Sequence, residues 1–140
     1  DLDGFKQVND SLGHAPGDLL LVETARRANE ALRCEDVLAR IGGDEFVVLF
    51  QTQDGGTRAH AVAERILQSI AAIREIAGSP IDVTASVGIV VASGAEAVRL
   101  GAEQVVHEAD RNMYLAKKRG KNQIVLSCLE DEAGLRALLA

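Results

Sequence analysis

Two apolar runs, Val37 to Ile41 and Phe46 to Phe50, stand on either side of Gly42-Gly43. A connection that short joins antiparallel neighbours, so the middle of the chain reads as a β-hairpin around a two-residue glycine loop. A hairpin there rules out a purely parallel sheet. On the N-terminal side, Leu21, Ala25, Ala28 and Leu32 recur at helical spacing from Asp18 to Leu32, after Pro16 and Gly17 and with an acid at the start. On the C-terminal side, Val62, Ile66, Ile70, Ile73 and Ala77 mark one face of a long helix that stops near Gly78 and Pro80. Ile81, Val83, Ala85, Val87, Ile89 and Val91 then alternate with Asp82, Thr84, Ser86 and Gly88, the pattern of a half-buried strand. Val105, Ala109, Met113 and Ala116 give another helix, closing with Lys117, Lys118 and Arg119 before Gly120, and Gln123 to Leu126 read as a final short strand. The order is helix, helix, strand, strand, helix, strand, helix, strand, which predicts an α+β layer fold without internal repeats.

The 140 residues, 47% hydrophobic and 26% charged with 2 prolines, fit one compact domain with a core and leave no room for a second. A net charge of −6 supplies no basic field to hold a nucleic acid or an anionic membrane. A phosphate ligand would therefore need a local device: a divalent metal, placed lysines, or backbone amides at a helix start. Cys34 and Cys128 show neither metal-ligand spacing nor a disulfide framework, which points to a reducing compartment and the cytosol. No apolar run approaches the roughly 18 residues of a membrane span.

Asp44 and Glu45 directly follow the glycine turn, where hard oxygen ligands suit Mg²⁺ and free amides can meet a phosphate. Solvated acids behind an ordinary hairpin turn explain the same residues. Asn9 and Asp18 are open to two readings as well: a turn former and a favourable first-turn charge, or an amide and a carboxylate that together read guanine, the carboxylate accepting from N1 and N2 while the amide donates to O6.

Five segments taken together favour function. Asp1-Leu2-Asp3-Gly4-Phe5-Lys6-Gln7-Val8-Asn9-Asp10, Gly13-His14-Ala15-Pro16-Gly17-Asp18, Arg40-Ile41-Gly42-Gly43-Asp44-Glu45-Phe46, Ser86-Val87-Gly88 and Asp110 to Asn122 resemble, in order and spacing, the signature blocks of the GGDEF diguanylate cyclase family, over the chain to about Cys128. The resemblance implies a palm-like, ferredoxin-like fold of the nucleotidyl-cyclase type, with a mainly antiparallel central sheet flanked by helices. It implies condensation of two GTP into cyclic dimeric GMP, with Mg²⁺ or Mn²⁺ as cofactor and a homodimer for catalysis. By the same resemblance, Asp1 and Asp44 are metal-binding carboxylates helped by the Leu2 carbonyl. Glu45 is a further metal ligand or the base for the 3′-hydroxyl. Asn9 and Asp18 read guanine, and the amides around Gly4, Phe5 and Gly43 hold the triphosphate with Lys117 and Lys121. Helix-end complementarity also accounts for Lys117.

Arg33-Cys34-Glu35-Asp36 lies at the distance from Gly42 at which the family carries its inhibitory product site, which implies cyclic dimeric GMP as inhibitor as well as product. The plain alternative is a surface pairing of Arg33 with Asp36. Lys121 stands where the family has arginine, and lysine cannot reproduce a bidentate grip. The resemblance further implies a preceding helix and strand that these residues do not contain, a domain over residues 1–128, and a linker helix over residues 129–140 of the sort that leads to an EAL phosphodiesterase domain. A GTP-binding module that regulates such a domain without turnover is the rival function. The expected setting is the cytoplasm, as a free protein or as the cytoplasmic part of a larger, even membrane-anchored, bacterial signalling protein, without direct membrane contact by this domain.

Overall fold

The structure, a computed structural model, describes residues 1–129; the expected linker helix falls almost wholly outside them. The elements are β1 (Leu2–Asp3), α1 (Phe5–Leu12), α2 (His14–Glu30), β2 (Val37–Gly42), β3 (Glu45–Leu49), α3 (Thr57–Ala71), β4 (Glu75–Ile76), β5 (Ser79–Pro80), β6 (Thr84–Ala85), β7 (Val87–Ala92), α4 (Gly94–Leu100), α5 (Ala102–Lys118) and β8 (Ile124–Leu129). This is the expected α+β, palm-like arrangement. The β1–β6, β2–β3 and β4–β5 ladders are antiparallel, and β7–β8 is parallel. Parallel neighbours need a crossover, which α5 supplies.

Backbone bonds between ladders set the layout. The Ser86 and Asp1 backbones exchange hydrogen bonds of 2.9 and 3.1 Å, so β1 lies beside the strand that continues through Ser86 into β7. The Leu2 N–H donates to the Asp44 carbonyl at 3.4 Å, attaching the hairpin tip to β1. Leu2, Val8, Leu20, Leu21, Leu67, Ile70, Val83 and Ala85 form the buried core beneath, where α1, α2 and α3 meet β1 and β6. Arg27 ties α2 to α3 through the Ser69 carbonyl, and with Arg26 it holds the Glu23 carboxyl down to about 2.

Several expected boundaries move. The hairpin turn is Gly43-Asp44 rather than Gly42-Gly43: Gly42 pairs with Glu45, the register shifts between Arg40 and Gly42, and Gly43 takes the left-handed φ of 47° that the turn requires. The first long helix starts at His14, because Pro16 fits an opening helical turn. The second stops at Ala71 instead of reaching Ala77; of the last two residues on the expected face Ile73 is buried but Ala77 is exposed, at φ 50° beside Gly78 at φ 77° in the turn of the β4–β5 hairpin, which buries Ile76 instead. The strand expected from Ile81 to Val91 is split at Ser86, and its polar face is not solvated there, since Ser86 is 0% exposed. The final strand runs three residues past Leu126, and helix α4 carried no sequence signal. Among the described residues no helix is long and apolar enough to cross a membrane.

Gly88 decides how closely α5 approaches the sheet. A Cβ there would lie 2.0 Å from the Ala109 carbonyl oxygen and 2.3 Å from the Met113 nitrogen, both backbone atoms that cannot swing aside. Gly88→Ala should therefore cost roughly 3 kcal/mol, at the upper end of overpacking penalties, measured by chemical denaturation. A loss within error of zero would show that the helix does not lie on bare backbone.

Candidate functional site

The end of β1, the hairpin tip and the last turn of α5 bring one lysine among several acids. The Asp1 carboxylate forms an ion pair with the Lys117 ammonium, the two side chains being 11% and 30% exposed. Asp44 is half-buried in the turn and Glu45 is exposed at the start of β3. The bond from the Leu2 N–H to the Asp44 carbonyl brings the hairpin tip, with Asp44 and Glu45, beside Asp1. Arg40 steadies the tip by donating from Nε to the Gly43 carbonyl at 2.8 Å.

This cluster answers part of the metal expectation. Carboxylate and carbonyl oxygens from Asp1, Leu2, Asp44 and Glu45 are the right type of donor for a hard divalent cation. Among the described residues, however, no group of three or more His, Cys, Asp or Glu is arranged to hold a metal as it stands. Asp1 is committed to Lys117 instead, which shows that this position attracts positive charge. An incoming anion would compete with Asp1 for Lys117, whose ammonium carries three donors.

From β1 the chain turns at Gly4, at φ 90°, where a Cβ would meet the Asp82 carbonyl oxygen at 3.1 Å, and Phe5 then opens α1. The first amides of a helix have no intrahelical acceptor, so the Gly4-Phe5 corner offers donors beside the acidic cluster. One turn on, the Asn9 carboxamide lies against bare backbone: a Cβ on Gly17 would sit 1.8 Å from Asn9 Oδ1. That oxygen is buried without a hydrogen-bond partner. Leaving such an acceptor unpaired costs about 1–3 kcal/mol, which only a hydrogen-bond donor could relieve. Asp18, exposed in α2, is the next residue after Gly17. The α1–α2 corner thus carries both residues expected to read a base, and Lys121 is exposed in the turn after α5.

Arg33 and Asp36 lie apart from this cluster, before β2. They do not form the surface ion pair that was the plain alternative. Asp36 Oδ2 accepts from the Arg33 backbone N–H at 2.8 Å and from Arg58 Nη2 at 2.5 Å, while Oδ1 is buried without a partner. Burial raises the Asp36 pKa, but the Arg33 amide and the Arg58 guanidinium outweigh it and hold the carboxyl below its ordinary value. Arg58 also stacks 4.4 Å from the Phe50 ring centroid. The Arg33 guanidinium is left exposed.

Asp3 is the residue that the sequence reading passed over. It is 6% exposed and accepts from Thr84 Oγ1 at 2.8 Å, Ser86 Oγ at 2.9 Å and the Asn122 backbone N–H at 3.2 Å. The available signal was period-two alternation, which puts Asp3 on the same side of the strand as Asp1 and Thr84 on the same side as Ser86.

A family model described as "Diguanylate cyclase, GGDEF domain" matches residues 1–123. The bifunctional diguanylate cyclase/cyclic di-GMP phosphodiesterase MucR of Pseudomonas aeruginosa is 40% identical over 122 residues, which cover 87% of this chain and 17% of MucR. The diguanylate cyclase TpbB of Pseudomonas aeruginosa is 39% identical over 132 residues, covering 94% of this chain and 30% of that protein. The crystal structure of the GGDEF domain of PA1120 (YfiN or TpbB) from the same organism superposes with a TM-score of 0.78 at 36% identity, over 93% of this chain and 80% of that one. The chain thus spans less than a third of the length of these curated relatives.

The contact between Asn9 and Gly17 can be tested alone. Gly17→Ala should expel the carboxamide from its place, costing about 1–2 kcal/mol of stability and shifting the Asn9 side-chain amide resonances in a nitrogen–proton correlation spectrum. Unmoved resonances would show that the two residues are not in contact.

Proposed function

The chain belongs to the GGDEF family, and on that premise we propose that it is a diguanylate cyclase domain that condenses two GTP into cyclic dimeric GMP with release of pyrophosphate. The observation that carries this reading is the convergence of Asp1, Asp44, Glu45 and Lys117 beside the Gly4-Phe5 corner, with Asn9 and Asp18 at the α1–α2 corner that follows in the chain.

In this proposal Asp18 accepts from guanine N1 and N2 and Asn9 supplies the complementary contact at O6, a pattern that adenine reverses. The amides of Gly4, Phe5 and Gly43 and the ammonium groups of Lys117 and Lys121 hold the triphosphate, with Lys117 leaving Asp1 to do so. Asp1, Asp44, Glu45 and the Leu2 carbonyl would hold Mg²⁺ or Mn²⁺, which supplies charge stabilisation at the phosphoryl group and a lower pKa for the attacking hydroxyl. Glu45, exposed and next to the turn, takes the 3′-hydroxyl proton. The 3′-oxygen of one GTP bonds to the α-phosphorus of the other as the α–β anhydride bond breaks, and the reciprocal step closes the ring. Each domain holds one nucleotide, so two copies must face each other about a two-fold axis. We place the domain in the cytoplasm, where GTP is available.

Product control completes the proposal. Arg33, exposed, offers a forked donor for a guanine edge or a phosphate, and Asp36, buried against Arg58, would accept once turned outward, so cyclic dimeric GMP bound there can link domains in an unproductive arrangement.

Incubation with GTP and Mg²⁺ followed by chromatography is the deciding experiment: cyclic dimeric GMP and pyrophosphate should appear. Asp44→Ala and Glu45→Ala should each abolish product while the fold persists, and normal turnover by both would refute the catalytic assignment. GTP binding without product from the unmutated protein would favour the regulatory module instead. Calorimetry with cyclic dimeric GMP should show Arg33→Ala weakened by about 1–3 kcal/mol. Equal affinity for the two proteins would end the product-site assignment.

A further inference from the structure

Three consecutive residues after α5 have positive φ: Gly120 at 115°, Lys121 at 63° and Asn122 at 47°. Two of them carry side chains that resist left-handed backbone, so something must hold this turn in shape. Two of its bonds go back to the end of α5, from Gly120 N–H to the Lys117 carbonyl at 3.3 Å and from Lys121 N–H to the Ala116 carbonyl at 3.1 Å. Another comes from across the fold, where the Asn122 N–H donates to Asp3 Oδ2. The same buried carboxylate is fixed by Thr84 and Ser86, and it lies two residues from Asp1 and one before Gly4.

We propose that Asp3 is a positioning residue for the triphosphate: by pinning the left-handed turn to β1 and β6, it sets Lys121 and the end of α5 relative to Asp1 and the Gly4-Phe5 corner. This inference rests on the nucleotide reading above and assigns Asp3 no contact with substrate. Its consequence is selective. Loosening the turn moves the phosphate-binding ammonium groups but leaves Asn9 and Asp18, on α1 and α2, where they are.

Calorimetry in Mg²⁺ with the α,β-methylene analogue of GTP, which cannot release pyrophosphate, and with GMP measures how much the outer phosphates add to affinity. Asp3→Ala should weaken the analogue by about ten- to a hundred-fold and leave GMP nearly unchanged. Asp3→Asn should recover most of the loss, because its carbonyl oxygen can still accept from Asn122 while its amide donates to Ser86. Asn122→Ala keeps the N–H but resists the left-handed conformation, so it should show the same selective loss, and it serves where Asp3→Ala does not fold. Parallel weakening of both ligands, or an unchanged increment in both variants, overturns the positioning role alone. An unmutated protein that binds the analogue no more tightly than GMP overturns the nucleotide reading and this inference with it.

Discussion

Helix α5 meets β7 where no side chain separates them, and the reactive edge depends on that approach. With a bare Cα at Gly88, the backbone of Ala109 and Met113 can rest on the strand. Asn112 then fixes the helix over both parallel strands, donating from Nδ2 to the Ile89 carbonyl and to Ser127 Oγ, each at 2.7 Å. Seated in this way, the helix ends with Lys117 at Asp1, and the chain returns into β8 through the Lys121-Asn122 turn. The geometry of this cluster follows from packing. A lysine of the same reach on a helix standing further off would not find the carboxylate.

The electrostatics of the site are those of an acidic domain meeting an anion. A net charge of −6 and the convergent acids at the hairpin tip repel a triphosphate at long range, so affinity has to come from short-range positive charge. Lys117 relieves the crowding of carboxylates in the free protein and turns to the phosphates in the proposed complex. In that complex a divalent cation would have to offset the carboxylates that Lys117 leaves. The same economy operates at Asp36, where Arg58 neutralises one oxygen and leaves the other without a partner.

Much of this architecture was legible in the sequence, for identifiable reasons. The hairpin, the helices and the half-buried strand announced themselves through apolar period, which burial enforces strongly. What escaped depended on local conformation or long-range bonding. Ile73 and Ala77 continue a helical spacing although the helix has ended at Ala71 and Ala77 sits in a hairpin turn, because apolar spacing alone does not distinguish the two, and the left-handed Ala77 leaves no compositional trace. Ser86 read as solvated because alternation assigns faces but not what covers them; Asp3 buries it. The partners Lys117 for Asp1 and Arg58 for Asp36 are 116 and 22 residues away, and periodicity cannot report such pairs.

The attachment of the hairpin has a mechanical consequence. Its tip is stiffened by the bond from Arg40 to Gly43 and its base is anchored where Asp36 meets Arg58, but the tip touches β1 through one long bond, from Leu2 to Asp44. Six residues of strand span roughly 20 Å between those ends. With Phe46 packed against the core beside that bond, the hairpin is held near both ends and can carry a displacement from one to the other. In the proposed product complex, a ligand that prised Asp36 from Arg58 would act on the hairpin at the end opposite Asp44 and Glu45.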